Sequence, residues 1–480
     1  MAGIGFALRD LLRKDTLWAI FEAQLHGVIA VAGPWFFTIV GMALPAILFH
    51  AEGDKPATDQ FVTLVLYIFS ASLTLTSPIA IGLTRHVSDC LYQRRDAEIA
   101  GSLVAAVGLC LLLGVPVVAF GARAVQAPAE TKILAAIGYG LVTLNWIVAP
   151  MLSTLRQFRA LTLTYAAGTA VFGVAMRSGG VATVPDLLIG FDVGMLVTNS
   201  AIIGLLLHGF PGQAWAGLDL VRALGNYWDL ALGGLFYGAG IWADKWIMWA
   251  APQHVVVANG LASYPTYDTV AFVAYVTTVP ALALFIIEAE TSFHEACQGL
   301  YGAIQNHSDY QTLQAARQRV MAAFRSAGRN VLLLQLFITT NVLLMPTLVL
   351  DAVGLPHSGV FMFRLCAMGA ALQSAVLMLC IVLHYFDSRR TVLWINLLFL
   401  LANIGFTWAC LQFGLPWYGF GYFVASLVTF AVAYVWVARA MRQLLYLAFV
   451  RQNAAVTQAR AQATTTTQWL DATTKGFGTH

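Results

Sequence analysis

Four charged side chains fall inside apolar runs long enough to cross a bilayer: Asp192, Asp244, Lys245 and Arg364. A charge at membrane depth costs several kcal/mol unless it is paired or hydrated. Two readings stay open. Lys245 and Arg364 can snorkel to the outer headgroups, or the four can form an ionic gate. In the gate reading Asp192 of the first half pairs with Lys245 or Arg364 of the second, and Asp244 helps hold the neighbouring cation. Asp244 and Lys245 are about 100° apart around a helix, so they are expected on different faces.

Aromatic residues could serve a sugar. Trp242, Trp246 and Trp249 recur at helical spacing, as a stacking face would require. An interfacial aromatic belt explains them as well. Arg317, Arg319 and Arg325 form a basic patch suited to docking a cytosolic partner. Asn145, Asn199, Gln335, Asn341, Gln373, Asn396 and Asn403 also lie within apolar runs. They can bond between helices or face a wet cavity. His208 and His384 sit at span ends, where a membrane-buried catalytic histidine is not expected. No Walker A, GxSxG or HExxH sequence occurs, so neither nucleotide hydrolysis nor these enzyme chemistries is expected. The six cysteines form no CxxC pair and have no zinc-ligand spacing. No catalytic residue, cofactor or metal is expected.

The elements that must position these residues are membrane helices. Hydrophobic residues make up 59% of the 480 and charged ones 10%, too few charges to cover a soluble protein of this size. The expected fold class is all-α: a polytopic membrane protein of about twelve helices in two six-helix lobes. The spans are 26–49, 61–83, 99–121, 132–154, 160–176, 185–208, 227–250, 265–287, 330–350, 359–384, 391–411 and 416–438. Each exceeds the length of a barrel strand, and open sheet is excluded from lipid. Prolines 34, 45, 78, 116, 150, 280 and 346 can bend spans. Gly233, Gly234, Gly238 and Gly240 suit close helix packing.

Basic residues set the orientation. With the N-terminus inside, twenty Lys and Arg fall in inner segments and four, Lys55, Arg123, Lys132 and Arg177, in outer loops. Both termini are then cytosolic, and the four intramembrane charges lie in the outer third. The expected domains are an amphipathic segment 1–25, a first lobe 26–208 and an inter-lobe loop 209–226. A second lobe 227–438 follows, with a cytosolic insert 288–329, and then a partly disordered tail 439–480. The polar stretch 311–325 reads as an interfacial or cytosolic helix. The start does not read as a cleavable signal. A net charge of +3 is too small to suggest nucleic acid.

The opening MAGIGFALR at 1–9 resembles the PelG family, inner-membrane transporters of Pel exopolysaccharide. AGPW at 32–35, ADKW at 243–246 and the stretch from Tyr267 through ETSF at 290–293 support it. Ala7 stands where the family usually has Glu. The resemblance implies a place in the flippase superfamily, with alternating access between two lobes. It implies export of an amino-sugar-rich polymer to the periplasm for biofilm formation, across the bacterial inner membrane. It also implies a cytosolic glycosyltransferase and membrane partners, one of them a cyclic di-GMP sensor. Alternatives are a lipid-linked oligosaccharide flippase and a non-transporting scaffold for a polysaccharide synthase. A drug–cation antiporter is disfavoured, because the early spans lack acids.

Overall fold

The computed structural model describes residues 55–152, 158–178, 183–210, 219–257, 260–352 and 357–446. The amphipathic segment 1–25, span 26–49, the MAGIGFALR and AGPW motifs and most of the tail lie outside the described residues.

The first half holds α1 (Lys55–Tyr92), α2 (Ile99–Ala124), α3 (Ala129–Leu152), α4 (Phe158–Ser178) and α5 (Val184–Gly209). A short α6 (Asp219–Asn226) leads to α7 (Trp228–Met248). A hairpin of β1 (Val255–Val257) and β2 (Leu261–Ser263) follows, then α8 (Pro265–Val276) and α9 (Val279–Glu288). The remaining helices are α10 (His294–Gln305), α11 (Tyr310–Leu344), α12 (Pro346–Ala352), α13 (Val360–Tyr385), α14 (Arg389–Phe413) and α15 (Phe420–Arg442). The fold is all-α and polytopic. Every expected span within the described residues falls on helix. By length and composition, nine helical stretches can cross a membrane among the described residues, α8 to α10 counting together as one, Pro265–Gln305. Helices α4 and α7, of 21 residues each, fall short of that standard. The charges Asp229, Asp244 and Lys245 lower the apolarity of α7.

Two expectations change. Residues 311–325 are not a separate helix, because α11 runs unbroken from Tyr310 to Leu344. A π-helical turn, Ala289–Phe293, likewise joins α9 to α10. The insert is therefore a helical hairpin that extends two spans. Asp309 caps α11, accepting from the Gln311 and Thr312 amides. The Thr312 hydroxyl, and then those amides, hold its carboxyl below the usual carboxylate range. The inter-lobe segment is also not wholly loop. Leu220 of α6 is fully buried, and Leu224 lies against Gly82 of α1.

Proline effects are local. Pro280 at the start of α9 cannot donate to the preceding turn. The chain breaks at Thr277–Thr278, whose hydroxyls donate to Ala274 O (2.6 Å) and Tyr275 O (2.8 Å). Those bonds satisfy carbonyls at the break, as lipid requires. Met345 ends α11 before Pro346 in the same manner.

Helix α7 lies between α1 and α14. A Cβ on Gly234 would stand 2.8 Å from Ser77 O of α1, and one on Gly240 2.8 Å from the Phe399 ring of α14. Only glycine permits both approaches. Phe61, Phe69, Phe172 and Phe191 form the aromatic centre of the first half, with ring centroids 6.0–6.5 Å apart. Two further clusters fill the second half. One surrounds Phe293, Val320 and Leu383, and the other surrounds Tyr267, Met362 and Phe363.

The arginine-rich helix ends carry the orientation argument. Gln93 lies at that end of α1, and Val256 in the hairpin at the opposite end; both are exposed. In a cysteine-free background, a cysteine at Val256 should react with an impermeant maleimide on intact cells. One at Gln93 should react only after the membrane is opened. The reverse pattern would invert the orientation.

Candidate functional site

The deepest charges lie on α7. Asp244 and Lys245 are 0% and 5% exposed. They do meet, contrary to the expectation of separate faces. The Lys245 ammonium donates to Asp244 Oδ1 (3.1 Å), Asp244 Oδ2 (3.0 Å) and Ile241 O (3.0 Å). Cα positions 100° apart fix only where the side chains start. The four-carbon lysine stem reaches back across the helix to its neighbour.

Other helices complete the cluster. Tyr267 of α8 donates to Asp244 Oδ2 (2.8 Å). Asn403 of α14 donates to Asp244 Oδ1 (3.3 Å) and Gly240 O (2.9 Å). The ammonium also faces the rings of Tyr275 (4.8 Å), Tyr422 (5.6 Å) and Trp242 (5.9 Å). Each desolvated cation–π contact contributes about 1–2 kcal/mol. Four helices thus share one ion pair. Beside it, Trp249 donates to both oxygens of Asp268 (3.1 and 3.0 Å), and the Tyr264 amide donates to Asp268 Oδ2 (3.2 Å).

This cluster touches the first half. Tyr67 of α1 stacks on Trp249 with centroids 4.3 Å apart. Its hydroxyl donates to Ala262 O of the hairpin (2.7 Å).

A second network joins the halves at the arginine-rich end. Tyr227, just before α7, donates to Asp89 Oδ2 of α1 (2.6 Å). Its ring lies near two guanidinium groups, Arg85 of α1 at 5.6 Å and Arg389 of α14 at 5.3 Å. Arg85 pairs with Asp89 (3.4 Å), and Arg389 with Asp229 (3.6 Å) and Asp387 (3.1 Å). Arg85, Asp89, Asp387 and Arg389 are partly exposed, so water screens their pairs, whereas Asp229 is buried.

The expected gate residues do not converge here. Asp192 is buried with its Oδ1 against Gly138, and neither carboxylate oxygen has a hydrogen-bond partner among the described residues. The three ammonium contacts of Lys245 are all within α7. Arg364 is exposed and makes no ion pair among the described residues. The three tryptophans differ in burial: Trp242 and Trp249 are buried, while Trp246 is exposed. The basic patch divides as well. Arg319 and Arg325 are exposed, whereas Arg317 donates to Arg442 O at the end of α15 (3.0 Å).

Sequence reasoning missed Asp268 because it stands within a turn of its span's start, where a charge passes for a headgroup residue. It did not single out Tyr227, and it left Asn403 among uncommitted amides. The amide pattern has a signal in retrospect. Asn396 and Asn403 are seven residues apart, and they donate to Gly233 O and Gly240 O, also seven apart. In the first half Asn145 donates to Asn199 (2.8 Å). All four bond between helices.

The profile of the PelG family, described as "Putative exopolysaccharide Exporter (EPS-E)", matches residues 1–449. The chain belongs to the PelG family. No curated protein sequence matches it. Solved structures share the fold of this chain. The chain is similar to a MATE transporter crystallised in complex with MaL6, with TM-score 0.60 and 15% identity, covering 88% of this chain and 97% of that one. An inward-facing multidrug resistance MATE family transporter of the MOP superfamily gives TM-score 0.59 at 14% identity, covering 88% and 99%. A MOP superfamily transporter from Pyrococcus furiosus gives 0.58 at 15%, covering 88% and 96%. In this PelG-family chain the ADKW segment holds the Asp244–Lys245 pair, and the Tyr267 segment supplies its hydroxyl partner.

Proposed function

We propose that this chain exports an amino-sugar-rich exopolysaccharide to the periplasm by alternating access between two lobes, 26–208 and 227–438. The family match over residues 1–449 carries this reading. The transporter fold supports it, and so do contacts between the halves at both ends of the helices. Each end then acts as a gate. The Arg85, Asp89, Tyr227 and Arg389 network closes the arginine-rich end, and Tyr67 with the hairpin closes the other. This arrangement replaces the expected pairing of Asp192 with Lys245 or Arg364. The Asp244–Lys245 cluster serves as the rigid centre of the second lobe, on which both gates are mounted.

The positive-inside distribution supports an inner-membrane location with the arginine-rich ends in the cytosol. A cytosolic glycosyltransferase then meets the nascent chain at that face, with membrane partners including a cyclic di-GMP sensor. The exposed Arg319 and Arg325 of α11 form the docking surface. Arg317 is left out, because it caps α15.

The test is polymer transport into proteoliposomes holding the chain and its glycosyltransferase. Polymer should enter the lumen only when both are present and the chain is intact. Replacing Arg319 and Arg325 by Gln should reduce co-purification of the enzyme several-fold without lowering insertion. Polymer made but never enclosed would favour a synthase scaffold. Enclosure of a short lipid-linked sugar without polymer would favour a flippase.

A further inference from the structure

Where α1 leaves its apolar stretch, three side chains with metal-binding atoms converge. His86 and Cys90 are one helical turn apart on α1, hence on one face. Both are buried, at 6% and 0% exposure. Glu98 immediately precedes α2. The His86 Nε2, Cys90 Sγ and a Glu98 carboxylate oxygen all lie within 4.8 Å of one another. Nitrogen and sulfur are 3.6 Å apart. A tetrahedral ion with bonds of about 2.0 Å to nitrogen and about 2.3 Å to sulfur sets those two atoms about 3.6 Å apart.

Hydrogen bonds link these residues but do not use every ligand atom. His86 Nε2 faces both Ser102 Oγ (3.1 Å) and Cys90 Sγ (3.6 Å). The Ser102 hydroxyl already donates to Glu98 O (2.9 Å). A proton on Nε2 serves Ser102 or Cys90, not both. Arg95 donates to Glu98 Oε2 (2.9 Å) and leaves the second carboxylate oxygen without that partner. Outer partners of this kind commonly orient a metal-bound carboxylate. The ionic surroundings are mixed: Arg95, Glu98, Asp89 and Asp219 all act electrostatically on His86.

We propose that His86, Cys90 and Glu98 form a binding site for a zinc-class divalent ion, with Ser102 Oγ or water as the fourth ligand. The ion binds as the Cys90 thiol releases its proton, giving a thiolate ligand, and His86 ligates through Nε2 with its proton on Nδ1. The donor set of one nitrogen, one sulfur and one oxygen suits Zn²⁺ and its spectroscopic substitute Co²⁺, and not Mg²⁺ or Ca²⁺. Bound metal ties α1 to α2. Asp89, which accepts from Tyr227 across the halves, sits between the two α1 ligands, so the same ion braces the gate at that end.

The test uses the full chain in detergent, loaded with Co²⁺ and then with Zn²⁺. One cobalt per chain should give a near-ultraviolet thiolate-to-cobalt band, which zinc then removes. Cys90→Ser should abolish the band, although Cys110, Cys297, Cys366, Cys380 and Cys410 remain. His86→Gln should weaken zinc binding more than about tenfold, and Arg95→Gln about tenfold, as a lost outer partner does. Mg²⁺ should not compete. If Cys90→Ser does not accumulate, His86→Gln with zinc content measured per chain decides the matter. An unmodified chain that binds no zinc at micromolar concentration would overturn the site. So would a cobalt band unchanged in Cys90→Ser.

Discussion

Lys245→Met should destabilise the protein by about 3–5 kcal/mol, the usual consequence of stranding one member of a buried ion pair. Asp244 is fully buried, and its remaining donors, Tyr267 and Asn403, are neutral. They cannot replace the two hydrogen bonds and the positive charge that the ammonium gives it. The cage of Tyr275, Tyr422 and Trp242 would lose its cation as well. Asp244→Asn should also be harmful, because it leaves the ammonium with one backbone carbonyl and three ring faces. The double variant, Asp244→Asn with Lys245→Met, should recover most of the loss. Neutralising both partners removes the desolvation penalty together with the attraction. Thermal unfolding in detergent reads the three variants. If Lys245→Met unfolds with the parent, the cluster is not the centre of the second lobe. If the double variant is no better than either single one, the damage is steric rather than electrostatic.

Much of the helical frame was legible because the bilayer leaves few choices. Runs such as 99–121 and 359–384 are apolar over a membrane's width, and each appears as one helix. Backbone groups in lipid must bond within their own helix, so the span length fixes the element. The break at Thr277–Thr278 was legible in kind from Pro280. The continuous α11 was not, because its polar first part reads as a separate surface helix. A helix can leave the membrane without a break when nothing in its sequence interrupts the backbone ladder.

The site was legible in composition and not in geometry. Charge in an apolar run correctly singled out Asp244 and Lys245. The geometry of their contact was not legible, because positions about 100° apart start on different faces and only the reach of the lysine stem joins them. Tyr67 and Tyr227 were invisible for another reason. Tyrosine near a span end is the ordinary signature of an interfacial anchor, and only the fold shows which of them reach across to the other half. Arg389 belonged to a count of inner charges. Its contacts with Asp229 and Asp387 depend on how α7 and α14 pack, which no local pattern encodes.

The two cross-half tyrosines should act in opposite senses. Tyr227→Ala removes the bond to Asp89 and the ring beside Arg85. A hydrogen bond to a carboxylate contributes about 1.5–3 kcal/mol, and a partly exposed cation–π contact about 0.5–1 kcal/mol. Their joint loss of about 2–4 kcal/mol shifts an equilibrium about 30- to 900-fold. Tyr227→Phe keeps the ring and should produce only the hydrogen-bond share. Tyr227→Phe added to Asp89→Ala should cost little beyond Asp89→Ala alone, since Asp89→Ala has already deleted the shared bond. Tyr67→Ala loses the stack on Trp249 and the bond to Ala262, so it should loosen the opposite end. Spin labels on exposed positions of α1 and α14, one pair near each end, report the two separations in lipid. Tyr227→Ala should widen the arginine-rich end alone, and Tyr67→Ala the other alone. Each should lower export, because alternating access needs both closures. Widening at both ends in either variant would mean that these contacts hold the bundle together without gating it. No widening in either would remove the two networks from the transport cycle.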